Sequence, residues 1–246
     1  MPGKGCAPSG LASAGGGSDN CGMTLSPLGD AAVVLELGHE IDVTTLAHVR
    51  ALTALLERDP PPGVTDVVPA YASVTVFYDL VRTGGYEQLC AELKTRAGRA
   101  ATQPPFETAR VVEIPVCYEE AFAPDLGYVA AHAGLRPEEV VVLHSGADYR
   151  VHAIGFVPGF PYLGGLPERL QTPRRATPRT LVPPGSVGIG AAQTGVYPLA
   201  TPGGWNLIGR TPLALFRPQA EPPALLRVGD QVRFRPIAAE EFAAWK

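Results

Sequence analysis

Apolar positions along this chain follow helical and strand periods in the first half and break into short runs in the second. Residues 31–37 (AAVVLEL) are apolar enough to suit a buried strand. Asp42 then offers an N-cap, and Leu46, Val49, Leu52 and Leu55 or Leu56 recur at helical spacing until Asp59-Pro60. Pro60-Pro61-Pro62-Gly63 forces an irregular connection. Residues 64–68 and 74–78 predict two strands, and 86–96 predict a helix after Gly84-Gly85, with Leu89 and Leu93 on one face. This β-α-β-β-α order is a split βαβ arrangement that one more strand would complete as a ferredoxin-like layer. It defines a small N-terminal α/β lobe over 24–100. Pro104-Pro105 and the small residues of 97–108 mark its boundary.

Beyond that boundary the pattern predicts a strand at 110–116, a short helix at 125–134 and a second helix from Arg136 to about His144. Pro137 in the first turn, with Glu138 and Glu139 at the positive end of the dipole, favours the second helix. Residues 149–154 alternate like a strand. From Gly155 to Thr211, Gly and Pro are too frequent for helices to dominate. Short strands fit at 186–190, 205–209, 213–216 and 231–235. Many short strands joined by Gly/Pro turns predict a closed or nearly closed β-barrel over 108–237. The fold class is therefore α+β.

Composition narrows the picture. The chain of 246 residues is 46% hydrophobic and 18% charged, enough for a sizeable core. Its 28 Gly and 26 Pro lie between apolar runs, which indicates a turn-rich fold rather than disorder. A net charge of −4 without a basic stripe argues against nucleic acid as a partner. No apolar run approaches the ~20 residues of a membrane helix, so no membrane role is expected. Residues 1–23 read as a flexible tail without the apolar stretch of a secretory signal. Cys6, Cys21, Cys90 and Cys117 are scattered with no C-x-x-C, so neither disulfides nor zinc is expected, and reduced thiols suit the cytoplasm.

The chemistry concentrates in the Gly/Pro-rich block. Its cations are Arg169, Arg174, Arg175, Arg179 and Arg210, with no lysine among them. Arginine forks grip carboxylate or phosphate with two bonds, so this set suits a small anionic substrate; pairing with backbone carbonyls or surface acids is the plainer alternative. His144 suits either a general base or a cation favoured by a helix C-terminus. His152 reads as packing or surface. Tyr162, Tyr197 and Trp205 flank glycines and either stack on a ligand or fill the barrel. Gln193-Thr194-Gly195 reads as a polar turn that binds a ligand or caps a hairpin. There is no G-x-x-x-x-G-K-[ST], G-x-S-x-G or H-E-x-x-H, and Glu168 is the block's one carboxylate. If the chain serves a catalyst, essential groups come from another chain.

The block resembles the family of 5-oxoprolinase B subunits, also called allophanate hydrolase subunit 1, which includes the sporulation-kinase inhibitor KipI. The likeness rests on His144-Ser145, Gly155-Phe156-x-Pro158-Gly159-Phe160-x-Tyr162-Leu163-Gly164-Gly165 and Thr172-Pro173-Arg174-Arg175-x-Thr177-Pro178-Arg179. It continues in Pro184-Gly185-Ser186-Val187-Gly188-Ile189, Gln193-Thr194-Gly195-x-Tyr197-Pro198 and Pro202-Gly203-Gly204-Trp205-x-Leu207-Ile208-Gly209-Arg210-Thr211-Pro212. Weaker likeness, including Val68-Pro69-Ala70-Tyr71, extends it over 24–237. Gly190-Ala191-Ala192 departs from the family pattern, which has Ala-Gly and a variable residue there.

The resemblance implies a cyclophilin-like β-barrel behind the N-terminal lobe. It also implies two partners, the C subunit of 5-oxoprolinase (allophanate hydrolase subunit 2-like) and its A subunit. Together the three chains couple ATP hydrolysis to opening 5-oxo-L-proline to L-glutamate. ATP would sit at a site shared with the partner C subunit, and no metal site is expected. The candidate catalytic residues are His144 and Arg210. The candidates for holding the substrate or its anionic group are Tyr162, Arg174, Arg175, Arg179, Gln193, Thr194, Tyr197 and Trp205. Two alternatives are a KipI-like histidine-kinase inhibitor and a component of an allophanate hydrolase or urea carboxylase-type carboxyltransferase, acting on a biotin-carried carboxyl group.

Overall fold

The computed structural model describes residues 23–39, 42–102 and 110–245. The expected tail, apart from Met23, and much of the expected boundary at 97–108 lie outside them.

The first elements are β1 (Thr24–Pro27), β2 (Ala32–Glu36), α1 (Val43–Arg58), β3 (Val64–Ala70), β4 (Ser73–Tyr78) and α2 (Tyr86–Ala101). Asp42 caps α1 as its sequence position suggests, its Oδ1 accepting from the Thr44 and Thr45 N–H groups at 2.7 and 3.0 Å. Helix α2 runs five residues past the expected end. Ala97 and Ala100 continue the buried Leu89–Leu93 stripe, so small residues that suggested a linker are packing residues instead. The strands form an antiparallel sheet in the order β1-β2-β4-β3, and α1 and α2 bury a shared core against it. The strand expected after α2 does not join this sheet; β1, from upstream, stands beside β2.

The second part comprises β5 (Val111–Cys117), α3 (Leu126–Ala133), α4 (Pro137–Ser145), β6 (Tyr149–Ile154), β7 (Pro161–Gly164), β8 (Arg179–Val182) and β9 (Ser186–Gly190). It continues with β10 (Gln193–Val196), β11 (Thr201–Gly203), β12 (Asn206–Arg210), β13 (Gln231–Ile237) and α5 (Ala239–Ala244). Strands β6-β13-β5-β12-β9-β10-β7 pair in turn, and β7 pairs back to β6, closing a seven-stranded barrel. The β13–β5 pairing is parallel and the others are antiparallel. A single bridge, Ala70 to Ala153, carries the first sheet into the barrel through β3 and β6.

Residues 213–216 form no strand; Pro212 and Pro218 flank them, and only Phe216 makes a bridge, to Ala224. Gln193-Thr194-Gly195 is not a turn but the start of the buried strand β10; the turn lies at Ala191-Ala192, with Ala191 at φ 55°. His152 is the extra residue of a bulge between the Val151–Leu163 and Ala153–Tyr162 pairs, which takes it out of simple alternation.

Candidate functional site

A cavity of about 310 Å³ opens between the Arg174–Pro178 loop, Pro202 and Gly203 of β11 with the following Gly204, and Phe160 and Tyr162 at the start of β7. Its walls are aromatic. Phe160, Tyr162, Tyr197 and Trp205 meet edge to face, with ring centroids 4.9 to 6.0 Å apart. The glycines of the block explain how such bulk fits. A Cβ on Gly190 would lie 2.6 Å from the Trp205 indole nitrogen, and one on Gly195 only 3.0 Å from its Cζ3. The indole therefore lies flat across bare backbone on β9 and β10. Burial pushes the Tyr197 phenol up from its ordinary value, opposed by a backbone hydrogen bond from Trp205 and by nearby Arg174, so this phenol stays neutral.

The arginines divide into two kinds. Asp125, 4% exposed at the head of α3, accepts from Arg175 Nη1 at 2.9 Å, Arg179 Nη2 at 2.8 Å and the Leu207 N–H at 2.7 Å. Arg179 Nη1 lies 2.8 Å from the other carboxylate oxygen as an ion pair. These two cations thus carry a resident counter-ion, drawn from outside the block whose own acid is Glu168. Arg174 differs. It makes no ion pair or hydrogen bond among the described residues, and its guanidinium lies 5.9 Å from the Trp205 ring centroid. The loop that presents it is pinned by Asn206 Nδ2, which donates to Pro173 O at 2.9 Å, and by Arg175 N–H, which donates to Gly204 O at 2.8 Å.

The cavity thus gathers Tyr162, Arg174, Arg175, Tyr197 and Trp205 from the sequence candidates, with Arg179 just behind. Gln193 sits beside it, in contact with Tyr71, whose ring packs on Tyr162 at 5.9 Å. Sequence reasoning does not single out Tyr71 as a site residue. Its one signal is a place in the weaker Val68-Pro69-Ala70-Tyr71 likeness, because its neighbours in space lie over 80 residues away along the chain.

The two candidates for catalysis and Thr194 are placed elsewhere. His144 is fully buried at the end of α4, stacked 4.6 Å from Phe234. Thr194 Oγ1 donates to Gly188 O at 3.0 Å, so it accepts from His144 Nε2–H at 3.0 Å. The Tyr118 hydroxyl then donates to Nδ1 at 2.8 Å. Burial drives the imidazole down to about 3, so every proton in this chain of bonds is already placed and the ring is a neutral core group. Without solvent access it is not set up to exchange a proton with a ligand. Arg210 stands at the far end of β12, ~13 Å along the strand from Asn206 at strand rise. There its Nε donates to Pro184 O at 2.9 Å, and its guanidinium faces Phe242 of α5. Among the described residues no three His, Cys, Asp or Glu side chains are grouped to hold a metal ion, and no helix is long and apolar enough to cross a membrane.

Comparisons with known proteins fit this architecture. The sequence profile described as "Carboxyltransferase domain, subdomain C and D" matches residues 23–226. The 5-oxoprolinase B subunit of Bacillus subtilis is 44% identical over 90% of this chain and 96% of its own length. That of Escherichia coli O157:H7 is 50% identical over 85% and 94%. A urea amidolyase of Saccharomyces cerevisiae is more distant, 24% identical over 87% of this chain but 13% of its own. Among solved structures, TTHA0988 superposes with a TM-score of 0.74 at 41% identity over 85% of this chain, which spans only 40% of that one. PH0987 from Pyrococcus horikoshii aligns over its whole length and 89% of this chain, at 41% identity and a TM-score of 0.53. The chain therefore belongs to the family of carboxyltransferase-domain subdomains C and D, on the branch of the 5-oxoprolinase B subunits.

Proposed function

We propose that this chain is the B subunit of an ATP-dependent 5-oxoprolinase, acting with the C and A subunits to open 5-oxo-L-proline to L-glutamate. The observation that carries the reading is the guanidinium of Arg174, uncommitted among the described residues, over a small aromatic cavity. Such a site suits a flat ring with one negative charge. Arg174 takes the carboxylate, and Tyr162 and Trp205 flank the ring. The relatives named as 5-oxoprolinase B subunits, at 43 to 50% identity, support the same substrate class. A lactam is a poor electrophile, so activation must come from outside this pocket. The cavity offers Arg174 against a triphosphate's several charges, a poor match; the nucleotide in this reading is held at a site shared with the C subunit.

In the same reading the N-terminal lobe (24–100) is ferredoxin-like with β1 as its fourth strand, the barrel (108–237) is cyclophilin-like, and the complex works in the cytoplasm. The test is ATP-dependent glutamate release from 5-oxo-L-proline by purified chains. Turnover is expected when the three chains are mixed and negligible for this chain alone; robust turnover by this chain alone would overturn the reading. The family description favours a second reading, a carboxyltransferase component, for which a biotinylated carrier should co-purify with the chain.

A further inference from the structure

We infer that Tyr71 and Gln193 form an amide-reading half of the site, hydrogen-bonding the lactam N–H and C=O of a ligand whose carboxylate rests on Arg174. This rests on the proposed function and adds the N-terminal lobe to the pocket. Tyr71 sits at the tip of the β3–β4 hairpin with φ 47°, a left-handed conformation that a bulky side chain adopts only under constraint. The constraint is visible. Its N–H donates to His152 O at 2.9 Å, and its ring stacks on His152 at 6.5 Å with planes 10° apart. The strained backbone thus delivers one phenol from the first sheet against Tyr162 of the cavity wall.

What the phenol meets there is the Gln193 carboxamide, and the meeting is poor. Tyr71 Oη lies 3.4 Å from Gln193 Oε1 and 3.3 Å from Nε2, so neither contact is a well-made hydrogen bond. Both side chains are only half-buried and retain donors and acceptors. A lactam carries its N–H and C=O side by side in the cis arrangement, which matches the paired acceptor and donor of a primary carboxamide. The Tyr71 hydroxyl can add a bond to the same carbonyl. Because both groups are neutral, they do not compete with Arg174 for the carboxylate. The arrangement discriminates a lactam acid from its amine analogue, since a ligand lacking the carbonyl leaves the carboxamide donor unpaired.

The experiment is calorimetric titration of the full chain, alone and mixed with the C and A subunits, using 5-oxo-L-proline, L-proline and 2-pyrrolidinone. Tyr71→Phe keeps the ring stack and is expected to weaken 5-oxo-L-proline about fivefold, and Gln193→Ala about tenfold. Tyr71→Phe should leave L-proline binding unaltered. Gln193→Ala should weaken it less than 5-oxo-L-proline, because proline's ring nitrogen still donates to the carboxamide oxygen but no carbonyl is present. Arg174→Gln, by contrast, should weaken both acids and spare 2-pyrrolidinone. Unchanged 5-oxo-L-proline affinity in Y71F and Q193A overturns this inference while leaving the proposed function standing. Equal losses for L-proline and 5-oxo-L-proline also overturn it, by showing a merely structural role. Failure of 5-oxo-L-proline to bind the wild-type chain in either form sinks the proposed function and this inference together.

Discussion

Replacing His144 by Gln should remove that residue's share of the protein's loss of stability between pH 6.5 and pH 5. In the folded chain burial holds this imidazole neutral down to about 3, whereas in the unfolded chain it titrates near its ordinary 6.5. Between those values the unfolded chain binds a proton that the folded chain refuses. The contribution of His144 is therefore fully present above pH 6.5 and is lost as the pH falls from 6.5 toward 3. Each pH step well below 6.5 costs about 1.4 kcal/mol, so at pH 5 the wild type should have lost about 2 kcal/mol on account of this residue. A neutral Gln can still donate to Thr194 and has no such dependence. Urea unfolding of both proteins at pH 7.5 and 5.0 measures the difference. Burial also lowers His152, but that residue is common to both proteins and cancels in the comparison. If the gap between wild type and variant is the same at both pH values, His144 is not a buried neutral group. Imidazole resonances of the wild type offer an independent check, since those of His144 should stay in the neutral form at pH 5.

Other outcomes follow from the site and its supports. Asp125→Ala strips two arginines of their counter-ion and leaves the Leu207 N–H unpaired; with Arg175 and Arg179 partly solvated, the loss should be about 2–3 kcal/mol, read as a fall in Tm. Gly190→Ala drives a methyl into the buried Trp205 indole and should cost about 1–3 kcal/mol, with a shift in tryptophan fluorescence; an unperturbed emission spectrum would contradict the flat seating of the ring. Ala191→Gly relieves a left-handed alanine at φ 55° and should raise stability by up to about 1 kcal/mol; a lower urea midpoint would count against strain there. Arg174→Gln should weaken acidic ligands about tenfold or more with only a small fall in Tm. This guanidinium makes no ion pair or hydrogen bond among the described residues and loses only its contact with the Trp205 ring, worth about 0.5–1 kcal/mol.

Local signals carry the first half of the chain. The Asp42 cap, the Leu46–Val49–Leu52–Leu56 stripe and the strands at 64–68 and 74–78 appear at or within a few residues of their expected places, because caps and periodicity act over a few residues. The same local reading anticipates a barrel and singles out an Arg- and aromatic-bearing Gly/Pro block. It is silent on β1, β7, β8 and β11 and reads the start of β10 as a turn, because glycines and prolines within or beside these short strands mask any strand period. Their identity as strands depends on partners far away in the chain.

Tertiary structure alone decided the allegiance of each polar group. Arg175 and Arg179 are indistinguishable from Arg174 in sequence, yet Asp125, some 50 residues upstream, neutralises the first two and leaves the third uncommitted among the described residues. His144 occupies a helix end that suits a solvated cation, but the barrel closes over it and makes it a neutral core group. Tyr71 reaches Tyr162 of the cavity wall only because a hairpin of the other sheet docks on β6. Charge pairing and desolvation are properties of distance in space, and residue type and local spacing determine neither.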